Sequence, residues 1–182
     1  MSATFERVSW LKYGYDIEEV DDFFELARAA YEGAPHAELD AEQIQQVVFD
    51  LVRRGYKCDV VDAALDRLAS AMIAKERVGI VGALGQQAWN EKLAQSATTL
   101  YPRLTRPRGE RFRPTANRHG YDMAEVDDLL DRLTAYFDAG EPLSAQEIQH
   151  AAFRRRGQGR GYDEASVDAF LRRASRVLLG VQ

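Results

Sequence analysis

The sequence predicts an all-α fold: duplicated tandem helix-turn-helix units, four copies in two modules, with no long coiled coil. Three observations carry this. A Gly-Tyr signature recurs at Gly14-Tyr15, Gly55-Tyr56, Gly120-Tyr121 and Gly161-Tyr162, each followed five residues after its Tyr by Val-Asp. Copies one and two are 41 residues apart, as are three and four, while copies one and three are 106 apart, as are two and four. Each copy opens an apolar stripe of helical period, and no convincing strand-like alternation appears.

Copy one reads as helix punctuation. Gly14 is expected to supply a positive φ between helices, and Asp16 to serve as N-cap. Glu19 three residues later predicts a capping box, and Tyr15 with Val20 a hydrophobic staple. The helix that follows carries Val20, Phe23, Phe24, Ala27 and Tyr31 on one face. Asp40 and Gln43 predict a capping box opening a second helix through Ile44, Val47, Val48 and Phe49.

Copy two has Lys57 at the cap, where no acceptor is available, so its helix is expected to start frayed or shifted, with Asp59 as a substitute cap. Its stripe is Val61, Ala64, Leu65, Leu68 and Met72. Copy three repeats the set with Tyr121, Asp122, Glu125 and Val126, then Leu129, Leu130, Leu133 and Phe137. Ser144 and Glu147 form another predicted box, ahead of Ile148 and Phe153. Copy four keeps Tyr162, Asp163 and Val167 but has Ser166 where the Glu would stand, and continues through Phe170, Leu171, Ala174 and Leu178. The structural caps are thus Asp16, Asp122 and Asp163.

Between the modules, Gly79, Gly82 and Gly85 predict a break in the helix, and Gln86 to Leu100 a helix with Trp89 and Leu93 on one side. The stretch from Tyr101 to Pro114 holds three Pro and five Arg and is expected to be extended. The expected domains are a first module over 1–78, a helical and Arg/Pro-rich connector over 79–113, and a second module over 114–182.

Net charge is −5, divided unevenly. Residues 1–100 carry 10 basic and 17 acidic side chains, and residues 101–182 carry 14 arginines and 12 acidic residues. No apolar run is long enough to span a bilayer, and no secretory leader is expected from the first residues. Cys58 is the single cysteine, which excludes an intramolecular disulfide and fits a reducing cytoplasm. His36, His119 and His150 lack metal-ligand spacing, and Cys58 lacks a partner base. The glycines at 79, 82 and 85 follow a helix rather than a strand and carry no Lys-Ser/Thr, unlike a phosphate loop. The chain is therefore expected to be non-enzymatic, with no cofactor and no metal.

Gly14-Tyr15-Asp16-Ile-Glu-Glu19-Val20-Asp21-Asp22-Phe23-Phe24 closely resembles the DivIVA-domain pattern. Leu143 to Ile148, Phe153, and Arg160-Gly-Tyr-Asp-Glu-Ala-Ser-Val-Asp-Ala-Phe-Leu171 look like a nearly complete copy. The resemblance covers about two thirds of the chain, and the four-copy arrangement looks like an actinobacterial repeat branch. It implies a cytoplasmic bacterial scaffold linked to cell division or polar growth. Relatives bind curved membrane through an N-terminal domain and recruit partners through a long parallel coiled coil, and no heptad run of that length is present here. They also place an exposed aromatic and a basic residue before the Gly. Here those positions are Lys12-Tyr13, Arg53-Arg54, Arg118-His119 and Gly159-Arg160, so Tyr13 is the one aromatic.

Lys12, Tyr13, Arg53, Arg54, Arg118 and Arg160 are therefore the candidate partner- or lipid-binding residues, because helix formation does not require them. A protein partner is expected. The alternative is an anionic membrane surface, met peripherally at the inner face of the membrane, and oligomerisation stays open. A DNA-binding regulator is the further alternative, suggested by Arg154-Arg155-Arg156 with Arg160 and by Arg103 to Arg113. The acidic first turns after each Gly-Tyr would repel phosphate.

Overall fold

Three of the four Gly-Tyr signatures lie on short strands, and Tyr56 of copy two makes isolated bridges to Arg7 and Tyr15. The structure is a computed structural model describing residues 5–35, 37–115, 118–157 and 159–181. Its elements are β1 (Tyr13–Tyr15), α1 (Ile17–Glu32), α2 (Ala41–Gln46), β2 (Leu51–Arg53), α3 (Cys58–Leu84), α4 (Gln86–Thr98), α5 (Tyr101–Leu104), β3 (Gly120–Asp122), α6 (Met123–Ala139), α7 (Ala145–Gln149), β4 (Arg155–Arg156), β5 (Gly161–Tyr162) and α8 (Glu164–Val181). The chain is mostly helical, but the all-α expectation is corrected by two small antiparallel sheets. Their strands are two or three residues long, too short for alternation to register in a sequence.

The chain divides into two compact units, 1–79 and 80–182, with α3 running across the division. In unit 1, β1 pairs antiparallel with β2, Tyr13 facing Arg53 and Tyr15 facing Leu51, and Tyr15 also bridges to Tyr56. In unit 2, β3 lies between β4 and β5, with Tyr121 facing both Arg155 and Tyr162.

The signature glycines do not adopt positive φ. That role falls to others, among them Gly33 (φ 79°) and Gly140 (φ 70°), which end α1 and α6 in the left-handed conformation. Gly14 and Gly55 instead cross backbone to backbone: a Cβ on Gly14 would collide with the Tyr56 carbonyl, and one on Gly55 with the Tyr15 carbonyl. Gly120 and Gly161 cross in the same way in unit 2. Close approach, not turn geometry, requires the glycine.

The crossing brings each Tyr to the Asp of the other copy. Tyr56 Oη donates to Asp21 at 3.0 Å, and Tyr162 Oη to Asp127 at 3.1 Å. Tyr15 lies near Asp62, and Tyr121 near Asp168, and in each case the carboxylate adds to the burial that raises the phenol. Asp21 and Asp127 are thus structural acceptors. Burial, ahead of the neighbouring carboxylate, pushes both the Tyr15 and Tyr162 phenols up to about 12.

Asp16 accepts from the amides of Glu18 and Glu19, and Asp122 from those of Ala124 and Glu125. Asp163 accepts from Ser166, and Asp40 and Ser144 form complete capping boxes. Glu19 and Glu125 behave differently from the predicted box. Glu19 accepts from the Asp50 amide at 2.8 Å while the Asp16 amide donates to the Asp50 carbonyl at 2.8 Å. Glu125 and Asp122 clamp Arg154 in the same way. Each glutamate therefore holds the segment before the second strand instead of its own cap.

α3 starts directly after Lys57, with Val61 N–H donating to the Lys57 carbonyl at 3.1 Å, so it is not shifted. Lys57 donates its amide to the Glu6 carbonyl at 2.8 Å, and its ammonium pairs with the Glu6 carboxylate at 2.6 Å. In unit 2 the corresponding amide bond runs from Asp163 to the Arg113 carbonyl, so the side-chain charges are reversed. Further along, α3 passes through Gly79 and Gly82 without the expected break and stops before Gly85 (φ 89°). Lys75 reaches across to the Ala30 carbonyl at 3.1 Å, satisfying the end of α1.

The core of unit 1 gathers Val20, Phe49, Tyr56 and Val61, with Phe5, Tyr15, Phe23 and Phe24 against them. Unit 2 buries Val126, Leu130, Leu133, Ile148, Val167, Phe170 and Leu178 with Leu100, Leu104 and Phe112. The segment expected to be extended is not: α5 occupies its start, and Leu104, Arg111 and Phe112 are buried. α4 also folds onto unit 2, where Trp89 Nε1 donates to the Gly180 carbonyl at 3.1 Å.

Candidate functional site

The unit 1 strands end in a tip made by residues 8–13 and 51–54. Val8 N–H donates to the Gly55 carbonyl (2.9 Å), Lys12 N–H to the Ser9 carbonyl (2.9 Å) and Arg54 N–H to the Lys12 carbonyl (3.3 Å). Arg54 takes up φ 62°, a left-handed conformation uncommon for a residue with a Cβ. The backbone is therefore fixed while the side chains point outward.

Those side chains are apolar to an unusual degree. Trp10 is 63% exposed, Leu11 65%, Tyr13 58% and Leu51 59%. Lys12, Arg53 and Arg54 are exposed among them, and the Arg53 guanidinium lies 5.8 Å from the Tyr13 ring centre. Clustered exposed apolar side chains flanked by cations mark an interaction surface.

Four of the six candidate residues, Lys12, Tyr13, Arg53 and Arg54, thus meet at one tip. Trp10, Leu11 and Leu51 join them and were missed. The available signal was the Trp10-Leu11 pair, which belongs to no helical stripe. The other two candidates, Arg118 and Arg160, are exposed in unit 2. There the strand register sets Arg155 where unit 1 has Leu51, and His119 precedes the Gly where unit 1 has Tyr13.

Most arginines around that second tip are engaged. Arg154 pairs with Glu125, Arg155 with Glu164 at 2.9 Å and Arg156 with Asp122. The Arg156 guanidinium holds the Asp122 carboxyl below the usual range, and the Arg154 amide, then its guanidinium, does so for Glu125. Arg108 lies on Asp128 and Asp131, and Arg111 on Asp131 and near Asp127.

Among the described residues no group of three or more His, Cys, Asp or Glu is placed to hold a metal ion. His36 lies outside the described residues, His119 is exposed, and His150 Nδ1 is 3.0 Å from the Gln146 carbonyl. Cys58 is a half-buried free thiol at the start of α3. No helix among the described residues is long and apolar enough to cross a membrane. Comparison with family models, curated proteins and solved structures finds no match.

Proposed function

We propose that this chain is a non-enzymatic interaction protein, a DivIVA-like repeat scaffold that attaches peripherally to an anionic membrane surface through the unit 1 tip. The observation that carries the reading is the exposed Trp10, Leu11, Tyr13 and Leu51 set among Lys12, Arg53 and Arg54. Indole and phenol rings partition to the headgroup level of a bilayer, and each nearby cation adds about 1 kcal/mol of attraction to anionic lipid. The resemblance of the Gly-Tyr-Asp and Val-Asp signatures supports the same assignment, with the inner face of the bacterial membrane as its location. Pairing of the unit 2 arginines with carboxylates speaks against the DNA-binding alternative, because it leaves fewer cations for phosphate.

Co-sedimentation with phosphatidylglycerol-containing vesicles tests this, with pure phosphatidylcholine vesicles beside them. Binding to the anionic vesicles alone, weakened by salt and abolished in a Trp10→Ser, Leu11→Ser, Tyr13→Ser variant with native circular dichroism, is the expected result. Brominated lipid should quench the exposed Trp10 and spare the buried Trp89. Equal recovery with both vesicle types, or an unaffected triple variant, would overturn the assignment.

A further inference from the structure

Two arginines of the segment before β3 meet opposite fates. Arg111 is buried and answered: its Nε donates to the Arg106 carbonyl at 3.3 Å, one terminal nitrogen to the Asp127 carbonyl at 2.8 Å, and the other to the Asp131 carboxylate. Arg103 is half-buried and has one hydrogen bond among the described residues, from a terminal nitrogen to the Arg111 carbonyl at 2.8 Å. Its guanidinium lies 4.6 Å from the centre of the Phe112 ring, which fixes its plane and leaves most of its donors unused.

Among the described residues no carboxylate pairs with this charge. The Arg106 amide donates to the Arg103 carbonyl at 3.3 Å, which sets Arg106 one turn further along. Phe112 meets Phe170 of α8 edge-on at 5.7 Å, and Arg173 stands one helical turn beyond Phe170. Among the described residues neither the Arg106 nor the Arg173 side chain has an ion pair or hydrogen bond, and both are exposed. The preceding residue, Arg172, lies instead by Asp168. Burial first, then the Arg106 and Arg173 charges, hold the Arg103 guanidinium below the ordinary arginine range. A cation taken out of water among like charges is costly unless an anion joins it.

We propose that Arg103, Arg106 and Arg173 form a binding site for a phosphomonoester dianion. Arg103 supplies the fixed, partly desolvated anchor, and the two exposed guanidiniums flank it from α8 and from the turn after α5. Guanidinium N–H groups bond phosphate oxygens in pairs, and a terminal dianion presents several such oxygens at one point, which matches cations grouped on one spot. A nucleic-acid diester spreads single charges along a line and suits the group less well. Free phosphate, a soluble phosphate ester and a lipid phosphomonoester share the required chemistry. The site uses none of the tip residues and does not rest on membrane attachment.

The test titrates the full chain with inorganic phosphate against chloride at constant ionic strength, following the arginine Nε–Hε resonances and the thermal unfolding of unit 2. A Trp10→Phe background leaves Trp89 to report unit 2. Saturable shifts at Arg103, Arg106 and Arg173 are expected, with affinity weakened about tenfold in Arg106→Gln with Arg173→Gln. That double variant should melt above its parent in chloride, because repulsion is relieved, and should lose the advantage in saturating phosphate. Sedimentation with phosphatidic acid vesicles, using the Trp10→Ser, Leu11→Ser, Tyr13→Ser variant, tells the source. Capture that needs Arg106 and Arg173 assigns a lipid phosphate, and phosphate binding without capture a soluble one. An equal rise in Tm for parent and double variant in phosphate, shifts that do not saturate by about 10 mM phosphate, or binding of a DNA duplex that phosphate does not displace would overturn the proposal.

Discussion

The hydroxyl of Tyr162 donates to the buried carboxylate of Asp127, 35 residues away, at 3.1 Å. Asp127 also receives the Gly109 amide and lies near the Arg111 guanidinium. Its unit 1 counterpart, Tyr56 to Asp21, sits in a more open setting. Tyr162→Phe should therefore cost about 2 kcal/mol, because it strips a donor from a buried charge, and Tyr56→Phe about 1 kcal/mol. Urea unfolding read by circular dichroism checks the order, and a larger loss at Tyr56 would contradict it.

Glycine substitutions should separate into two classes. Gly14→Ala and Gly120→Ala put a methyl into a backbone crossing and should prevent the affected unit from folding. Gly79→Ala and Gly82→Ala meet open space inside a helix and should stabilise α3 by about 0.5–1 kcal/mol each. Thermal unfolding of the four single variants distinguishes the classes.

Lys57 stands where an N-cap acceptor would be but is paired with Glu6. Lys57→Asp should be close to neutral alone, since the gained cap is offset by a new Asp-Glu repulsion. In a Glu6→Gln background the same change should stabilise by about 1 kcal/mol. A double-mutant cycle in urea measures the difference.

Acid should destabilise unit 2. The Asp122, Glu125, Glu147 and Asp163 carboxyls are held below their ordinary values. The first causes are the Arg156 guanidinium, the Arg154 amide, the Arg132 guanidinium and the Ser166 hydroxyl, respectively. Groups of this kind stabilise above their unfolded pKa, about 4, and lose that contribution as pH falls through the folded values. Asp168, raised by burial, has the opposite sign: its folded form favours the proton, so its contribution is lost as pH rises. A Trp10→Phe variant leaves Trp89 to report unit 2 alone. Its stability should fall below about pH 4, less steeply in Glu125→Gln and more steeply in Asp168→Asn.

Local relationships were legible in the sequence. The caps at Asp16, Asp122 and Asp163, and the boxes opened by Asp40 and Ser144, join residues two or three apart, where spacing alone specifies geometry. The role of Gly14 was not legible, because its reason is the Tyr56 carbonyl 42 residues later. Glu19 satisfied every local requirement of a capping box yet bonds to Asp50, a competition visible only after folding. The Pro- and Arg-rich stretch read as extended because its composition gives no apolar stripe; Arg111 is buried nevertheless, since distant carboxylates receive it. At the tip, Lys12, Tyr13, Arg53 and Arg54 were legible as residues without a folding task, whereas their convergence with Trp10 and Leu51 depended on the strand register.

The reversed charges at Lys57 and Asp163 bear on how the chain chooses its own pairing. All four copies offer the same Tyr and the same Asp, so the exchange that joins copies one and two would equally join two and three. Chain length discriminates poorly, because spacings of 41 and 65 residues differ in closure entropy by less than about 0.6 kcal/mol. Sign can discriminate. A mismatched pairing of copy one with copy four would set Glu6 against Asp163, and one of copy three with copy two would set Arg113 against Lys57. Exchanging the unit 1 pair, Glu6→Lys with Lys57→Glu, would make every pairing equivalent, and refolding should then yield concentration-dependent species by size exclusion. Two ordinary surface charges thus give four near-identical half-sites an address, and each half-site closes on the neighbour encoded beside it.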